Sequence, residues 1–239
     1  MKIGILQTGK APPELVDEYG TYAEMFIRLL QCNSCDFIFE IFEVCDDKFP
    51  ATFNQCDGWI VTGSKHGAYE KIPWIISLSK FIVGIHNSKL PLLGVCFGHQ
   101  IIAQALGGRV EKSKKGWGVG FDRYKIDSKA EYMSNLKGIV TLNIMHQDQV
   151  IELPKGATRY ASSELCHNAG FYIKDQVLTV QAHPEFLVDF NKGLLNLRSS
   201  TIIPTKSSTP GLEDLNTNYN KVDSEMFGQT IRNFFLKAS

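Results

Sequence analysis

The sequence predicts an α/β fold with a central, mostly parallel sheet, helices on both faces and extra antiparallel strands. Up to about residue 106, apolar β-type runs alternate with segments whose apolar residues recur at helical spacing, which favours a parallel sheet covered on both faces. From there to about residue 180, short β-type runs follow one another and indicate added strands and hairpins. We expect residues 1–239 to form a single domain, because this length favours one large α/β unit and no internal repeat is visible.

A separate sequence pattern predicts each strand, helix and long loop. Residues 2–8 form an apolar, β-rich run that is typical of a buried strand, and Tyr22 and Met25 belong to a helical pattern over 19–31. Further strands are predicted over 37–44, 58–62, 92–95, 119–126, 139–145, 157–161, 170–173 and 177–180, and further helices over 74–86, 100–106 and 223–237. Residues 198–221 are rich in Ser, Thr, Pro and Asn and show little periodicity, so we expect a long surface loop there.

The overall composition disfavours nucleic acid and membranes as partners. The 25 Lys and Arg residues balance 25 Asp and Glu residues, so no overall field would draw the protein to nucleic acid or to an anionic membrane. The apolar stretches fall short of the roughly 20 residues that span a bilayer, and the N-terminus has no signal-peptide pattern. The six cysteines are therefore expected to be reduced in a cytoplasmic protein. Cys32 and Cys35 have redox-motif spacing but no matching second pair, so we interpret them as incidental.

A cysteine between two glycines gives the first chemical signal. Cys96 follows the strand predicted over 92–95, precedes the helix predicted over 100–106, and has Gly94 and Gly98 on either side. This pattern predicts a nucleophile elbow, a sharp strand-to-helix turn that pushes its central side chain out at the carboxyl edge of the sheet. Amides at the start of the helix favour a thiolate and can donate to an oxyanion. The alternative is that Cys96 is a buried small hydrophobe.

A base for this thiol follows 87 residues downstream, where His183 and Glu185 flank a proline at the end of another apolar strand. A tight turn would bring the Glu185 carboxylate against one imidazole nitrogen and leave the other nitrogen facing Cys96. Taken alone, His183 would be an ordinary strand-end residue and Glu185 a solvated acid. The two segments together favour a catalytic triad.

This combination resembles the class I glutamine amidotransferases, which carry a Cys-His-Glu triad on a Gly-x-Cys-x-Gly-His-Gln elbow and a late His-Pro-Glu. The resemblance extends from the opening strand to at least Phe190. It is greatest to the branch that contains the amidotransferase domain of GMP synthase and the plant γ-glutamyl peptidases. It implies a flavodoxin-like three-layer sandwich and a triad of Cys96, His183 and Glu185.

The resemblance also implies an oxyanion hole and a substrate site. The loop at 62–66 falls where the family has its oxyanion loop, although this sequence lacks the family's frequent Gly-Gly-Pro there. His66 on this loop is expected to lie at the rim, because one base suffices. The implied oxyanion residues are Gly63, Ser64 and Phe97, and the implied substrate-binding residues are Gln100, His146, Gln147 and Asp148.

His146 and Asp148 also have other interpretations, as a second acid/base pair, a metal site or a polar surface turn. Two ligands without a third make a poor metal site, so no metal is expected, and no other cofactor is implied.

The predicted chemistry is hydrolysis of a γ-glutamyl amide bond through a γ-glutamyl thioester on Cys96. No ATP-binding domain accompanies it in these residues. We therefore expect a stand-alone hydrolase of glutamine or γ-glutamyl peptides, or a glutaminase subunit that delivers ammonia to a separate synthetase. Segments 146–150 and 161–165 resemble the γ-glutamyl peptidases, which favours the first. A non-catalytic binding or regulatory module on the same fold is the third alternative, and the intact triad disfavours it.

Overall fold

The structure is a computed structural model that describes residues 1–32, 36–127 and 130–237. The strands are β1 Lys2–Leu6, β2 Ile38–Phe42, β3 Gly58–Val61, β4 Leu92–Val95, β5 Arg109–Lys112, β6 Gly118–Ile126, β7 Ile139–His146, β8 Asp148–Glu152, β9 Thr158–Ser162, β10 Gly170–Ile173 and β11 Val177–Val180. The α-helices are α1 Pro13–Tyr19, α2 Tyr22–Leu30, α3 Pro73–Asn87, α4 Phe97–Ala105, α5 Val188–Arg198, α6 Thr205–Thr217 and α7 Ser224–Lys237.

Nine strands form one sheet in the order β2-β1-β3-β4-β11-β10-β9-β6-β7. The strands β2, β1, β3, β4 and β11 pair in parallel, and the remaining pairs are antiparallel. β5 and β8 form a separate antiparallel pair. The α/β class with both parallel and antiparallel strands is confirmed, and the antiparallel part makes up nearly half of the large sheet.

Helices cover both faces of the sheet. Successive residues of a strand point to opposite faces, so one strand places side chains against helices on both sides. Ile3 and Ile5 of β1 pack with α2 and α7, whereas Leu6 packs in a second cluster with α3 and α4. A third apolar cluster joins α1, α5 and α6 to Phe121 of β6 and Met145 of β7. The sheet therefore forms the middle of three layers.

The strand directions bring the predicted site residues to one edge. β3, β4 and β11 are parallel, so their carboxyl ends, which precede Gly63, Cys96 and His183, lie side by side. Four successive antiparallel pairings from β11 to β7 return β7 to the same direction. Its carboxyl end at His146 therefore reaches this edge as well.

The long surface loop expected over 198–221 is wrong, because α6 occupies Thr205–Thr217. Three residues at helical spacing, Ser208, Gly211 and Leu215, are its buried face, and two of them are not apolar side chains. Gly211 allows close contact with the sheet, since a Cβ there would lie 2.7 Å from Val119 Cγ2. The helix is stabilised by tertiary packing that a periodicity of apolar residues does not reveal.

Four further elements were not expected from the sequence: α1, α5, β5 and β8. None of the described helices is long and apolar enough to cross a bilayer.

Cys32 is disulfide-bonded, so the expectation of a reduced thiol does not hold at this position. The other member of the predicted incidental pair, residue 35, lies outside the described residues.

Candidate active site

The turn between β4 and α4 holds Cys96 in a strained conformation, with φ 54° and ψ −105°. The glycines on both sides permit it. A Cβ on Gly94 would lie 2.6 Å from the carbonyl oxygen of Gly98, and a Cβ on Gly98 would lie 2.1 Å from that of Val61. Hydrogen bonds fix the turn, since the Cys96 amide donates to Val180 O at 2.9 Å and the Gly98 amide to Thr62 O at 3.1 Å. The predicted elbow is present.

His183 and Glu185 form a buried pair on the turn after β11. Their side chains are 5% and 1% exposed, and His183 Nδ1 lies 2.6 Å from Glu185 Oε1. The ring of Phe186 stacks on the imidazole with centroids 3.9 Å apart and planes 6° from parallel. The carboxylate and the aromatic ring thus fix both the position and the plane of the His183 ring.

The electrostatics of this pair favour a protonated imidazole. Burial alone would lower the pKa of His183, but the charges of Glu185 and Cys96 and the hydrogen bond with Glu185 outweigh burial and raise that pKa. The imidazole that contacts Glu185 also lines the same small cleft as the Cys96 thiol. The structure therefore brings together the three predicted triad residues.

Two buried asparagines hold the turn that carries His183. The His183 amide donates to Asn143 O at 2.8 Å, and Asn143 Nδ2 donates to Phe186 O at 2.9 Å. Asn191 Nδ2 in turn donates to Asn143 Oδ1 at 3.0 Å and to Gly120 O at 3.1 Å. This network joins β7 and α5 to the turn, and no motif in the sequence identifies it.

The predicted oxyanion residues lie next to the thiol. Gly63 and Ser64 line the same small cleft as Cys96 and His183. In the ranges that the structure describes, the backbone amides of Gly63, Ser64 and Phe97 have no hydrogen-bond acceptor. Thr8 orders the loop, since its Oγ1 lies 2.9 Å from Gly63 O. Amides in this arrangement can donate to a negatively charged oxygen at Cys96.

The predicted substrate residues line a cavity of about 330 Å³ that opens onto Cys96. Gln100 does not present its amide nitrogen to this cavity, because Nε2 donates to Asp148 O at 2.8 Å and to Gln181 Oε1 at 3.1 Å. Its side chain therefore anchors residues 146–148. Tyr69 lines the same cavity, and burial and the neighbouring Asp148 carboxylate raise the pKa of its phenol.

His146 lies buried in the wall of the cavity and is neutral near pH 7. Burial lowers its pKa to about 4, the charge of His183 acts in the same direction, and a hydrogen bond with Asp148 O opposes them. Its Nε2 is buried and has no hydrogen-bond partner in residues 1–32, 36–127 and 130–237. The same ranges contain no group of three His, Cys, Asp or Glu residues that could hold a metal ion.

Comparison with known proteins decides the family. The family model described as Glutamine amidotransferase class-I matches residues 14–194. The chain belongs to the class-I glutamine amidotransferase family. This amidotransferase-family chain is 34% identical over 176 residues to gamma-glutamyl peptidase 3 of Arabidopsis thaliana, and the match covers 70% of each chain.

Two other comparisons concern a longer protein and a solved structure. GMP synthase [glutamine-hydrolyzing] of Aromatoleum aromaticum is 34% identical to this amidotransferase-family chain over 155 residues, which cover 60% of the chain and 28% of the GMP synthase. The solved structure of a glutamine amidotransferase from Thermotoga maritima is 19% identical, covers 98% of both chains and superposes with a TM-score of 0.76. The last comparison shows that the fold is shared.

Arg198 is a site residue of this amidotransferase-family chain that sequence reasoning missed. It is the last residue of α5 and lines the cavity with Cys96, although its position in the sequence indicated the start of a loop. Its Nη1 lies 3.3 Å from Met145 Sδ, and Tyr22 lines the same cleft. No motif marks either residue, because the fold brings them to the site from distant parts of the chain.

Proposed function

We propose that this chain is a cysteine hydrolase of γ-glutamyl amide bonds, in which Cys96 is the nucleophile, His183 the acid and base, and Glu185 the group that orients and stabilises the imidazolium. The 2.6 Å contact between His183 and Glu185, on an imidazole that lines the same cleft as Cys96, carries the proposal. The family assignment supports it, since relatives are named gamma-glutamyl peptidase and glutamine-hydrolyzing GMP synthase.

The reaction begins when the Cys96 sulfur attacks the δ-carbonyl carbon of the glutamyl group and the carbonyl oxygen becomes an oxyanion. The amides of Phe97 and of the Gly63–Ser64 loop stabilise that charge because they are preorganised and unsatisfied. His183 protonates the amine as the carbon–nitrogen bond breaks, which leaves a γ-glutamyl thioester on Cys96.

The second half of the reaction uses the same groups. Neutral His183 takes a proton from a water molecule, whose oxygen attacks the thioester carbonyl, and the oxyanion forms again in the same hole. The carbon–sulfur bond then breaks, free glutamate leaves, and the thiolate–imidazolium pair is restored. Glu185 keeps its contact with Nδ1 of His183 throughout, since its role is to orient the imidazole.

A purified preparation tests this function directly. We expect it to release glutamate from glutamine or from γ-glutamyl peptides such as glutathione, with Cys96→Ala abolishing the release. Mass spectrometry of acid-quenched enzyme should find one added glutamyl group on the peptide that contains Cys96. No turnover and no acylation with any γ-glutamyl compound would favour a non-catalytic binding module instead.

A glutaminase subunit is the second candidate, supported by the similarity to GMP synthase, of which this chain spans about a quarter of the length. In that case glutamine is the substrate, and ammonia passes to a separate synthetase. The same assay distinguishes the two candidates. Cysteinylglycine released from glutathione by the chain alone selects the peptidase, whereas glutamine hydrolysis that rises only when a synthetase is added selects the subunit.

A further inference from the structure

A second cavity adjoins the catalytic one. It has a volume of about 250 Å³, and the two cavities share Ser64, Lys65, His66 and Arg198. Its remaining walls include residues that follow β1 and β2 and one from α3: Thr8, Gly9, Lys10, Cys45, Asp46 and Trp74. None of the residues expected to hold the glutamyl group lines it. The second cavity therefore shares lining residues with the catalytic cavity but has none of the residues expected to hold the glutamyl group.

Two cationic side chains, those of Lys65 and Arg198, line both cavities. Lys65 is exposed, and its ammonium group has no ion pair or hydrogen bond within the described part of the chain. Arg198 is half-buried, its Nη1 lies 3.3 Å from the sulfur of Met145, and Tyr22 lines the same cleft. Burial raises the pKa of Tyr22, so the phenol is neutral and does not compensate the guanidinium.

Two carboxylates that line these cavities, those of Asp46 and Glu70, already have partners. Asp46 Oδ2 in the second cavity lies 2.6 Å from Lys10 Nζ. Glu70 lies 3.0 Å from His66 Nδ1 and accepts the Gly67 amide at 2.5 Å. Among the described residues, no carboxylate is within ion-pair distance of Lys65 or Arg198. The shared wall thus carries positive charge that an anionic ligand group can neutralise.

The position of His183 fixes which part of a substrate comes near this wall. The amine must leave on the imidazole side, because His183 protonates it. The cleft that contains Cys96 and His183 also contains Tyr22, Ser64 and Arg198, and these three residues all line the second cavity. A γ-glutamyl peptide with its glutamyl group beside residues 146–148 therefore extends its amine part past Arg198.

We propose that the second cavity binds the leaving group, and that Arg198 and Lys65 bind the carboxylate of an amino acid or short peptide whose amino group carries the γ-glutamyl acyl. This inference rests on the proposed γ-glutamyl hydrolase function and names its substrate class. A guanidinium binds a carboxylate through charge-assisted hydrogen bonds, which are stronger than those to a neutral amide. The site accordingly selects γ-glutamyl peptides over γ-glutamyl compounds with an uncharged leaving group.

Two substrates that differ only in one charge test the proposal: γ-glutamylglycine and γ-glutamylglycinamide. We expect kcat/KM to be about 10- to 100-fold higher for the acid, the range for a hydrogen bond to a charged group. Arg198→Gln and Lys65→Gln should each reduce that ratio, mainly by raising KM for the acid. Lys155→Gln is the matched control, because Lys155 is an exposed lysine that lines neither cavity.

The outcomes separate the subsite from the function. Equal kcat/KM for the two substrates in the wild-type protein overturns the subsite while the hydrolase function stands. An equal loss for both substrates in Arg198→Gln also overturns it, because the guanidinium then serves the glutamyl group or the fold. Lys65→Gln keeps the test decisive if Arg198→Gln fails to fold, since Lys65 is exposed. Failure of the wild-type protein to cleave any γ-glutamyl compound contradicts the proposed function itself.

Discussion

Gly63 lies directly against the imidazole of His183, and a Cβ at position 63 would be 2.9 Å from His183 Cε1. The absence of a side chain here lets the loop after β3 approach the imidazole and present its amides beside Cys96. The glycine therefore has a steric role in the site as well as its place in the predicted oxyanion loop.

Gly63→Ala should lower kcat for γ-glutamyl hydrolysis on the order of 100-fold, because the methyl group displaces either the imidazole or the oxyanion amides. The measurement is steady-state kinetics together with thermal unfolding. Gly193→Ala is the control, since its Cβ would meet the flexible Leu15 side chain on α1. If Gly63→Ala keeps wild-type kcat, the loop is not part of the catalytic geometry.

Glu185→Gln should reduce kcat on the order of 1,000-fold while the protein stays folded, because the amide keeps the shape but removes the charge that stabilises the imidazolium. The experiment compares kcat with that of Glu14→Gln, which changes an exposed acid on α1. The pKa of the His183 imidazole, followed by NMR, should also fall in Glu185→Gln. A variant with normal kcat would mean that Glu185 has only a structural role.

His146 should make the fold sensitive to acid. Burial lowers the pKa of His146 in the folded chain to about 4, from an ordinary value of 6.5. As pH falls below 6.5, the unfolded chain therefore binds a proton at this residue that the folded chain does not bind. The stability associated with neutral His146 is thus present above pH 6.5 and is lost as pH falls towards 4. At pH 5 the loss is about 2 kcal/mol.

Urea unfolding at pH 7 and pH 5 measures this effect. His146→Gln should show a smaller drop in the free energy of unfolding between the two pH values than the wild-type protein, even if it is less stable at pH 7. His167→Gln, at an exposed position, is the matched control. The same drop in all three proteins would show that His146 does not titrate as expected.

Asn191→Ala should cost about 2–4 kcal/mol of stability, since it opens a small cavity and leaves buried oxygens of Gly120 and Asn143 without a donor. It should also lower kcat, because Asn143 is hydrogen-bonded to both ends of the turn from His183 to Phe186. Chemical denaturation and kinetics on the folded protein measure the two effects. Loss of stability with unchanged kcat would limit the network to a structural role.

The sequence predicted those parts of the molecule whose signals are local. β4, β10 and β11 have the predicted bounds because short apolar runs between turn residues specify them. The elbow at Cys96 was predictable for a similar reason, since flanking glycines in a strand-to-helix turn reflect contacts within a few residues and with the neighbouring strand.

The parts that were missed depend on contacts between distant segments. The buried face of α6 uses Ser208 and Gly211, which fit closely against β6 without giving an apolar pattern. Arg198 enters the site because α5 packs beside the end of β7, and the asparagine network depends on the same packing. Such residues are ordinary polar side chains in the sequence and gain their roles only in the folded chain.

The sheet order also determines when Cys96 and His183 come together as the chain is synthesised and folds. β11, which precedes His183, pairs with β4 only after the chain has completed six intervening strands, so we expect Cys96 and His183 to meet late in synthesis and folding. A nascent chain that ends before residue 183 already carries Cys96 but no imidazole beside it. Under the proposed mechanism, Cys96 therefore gains its base only when the antiparallel part of the sheet has closed onto the parallel part.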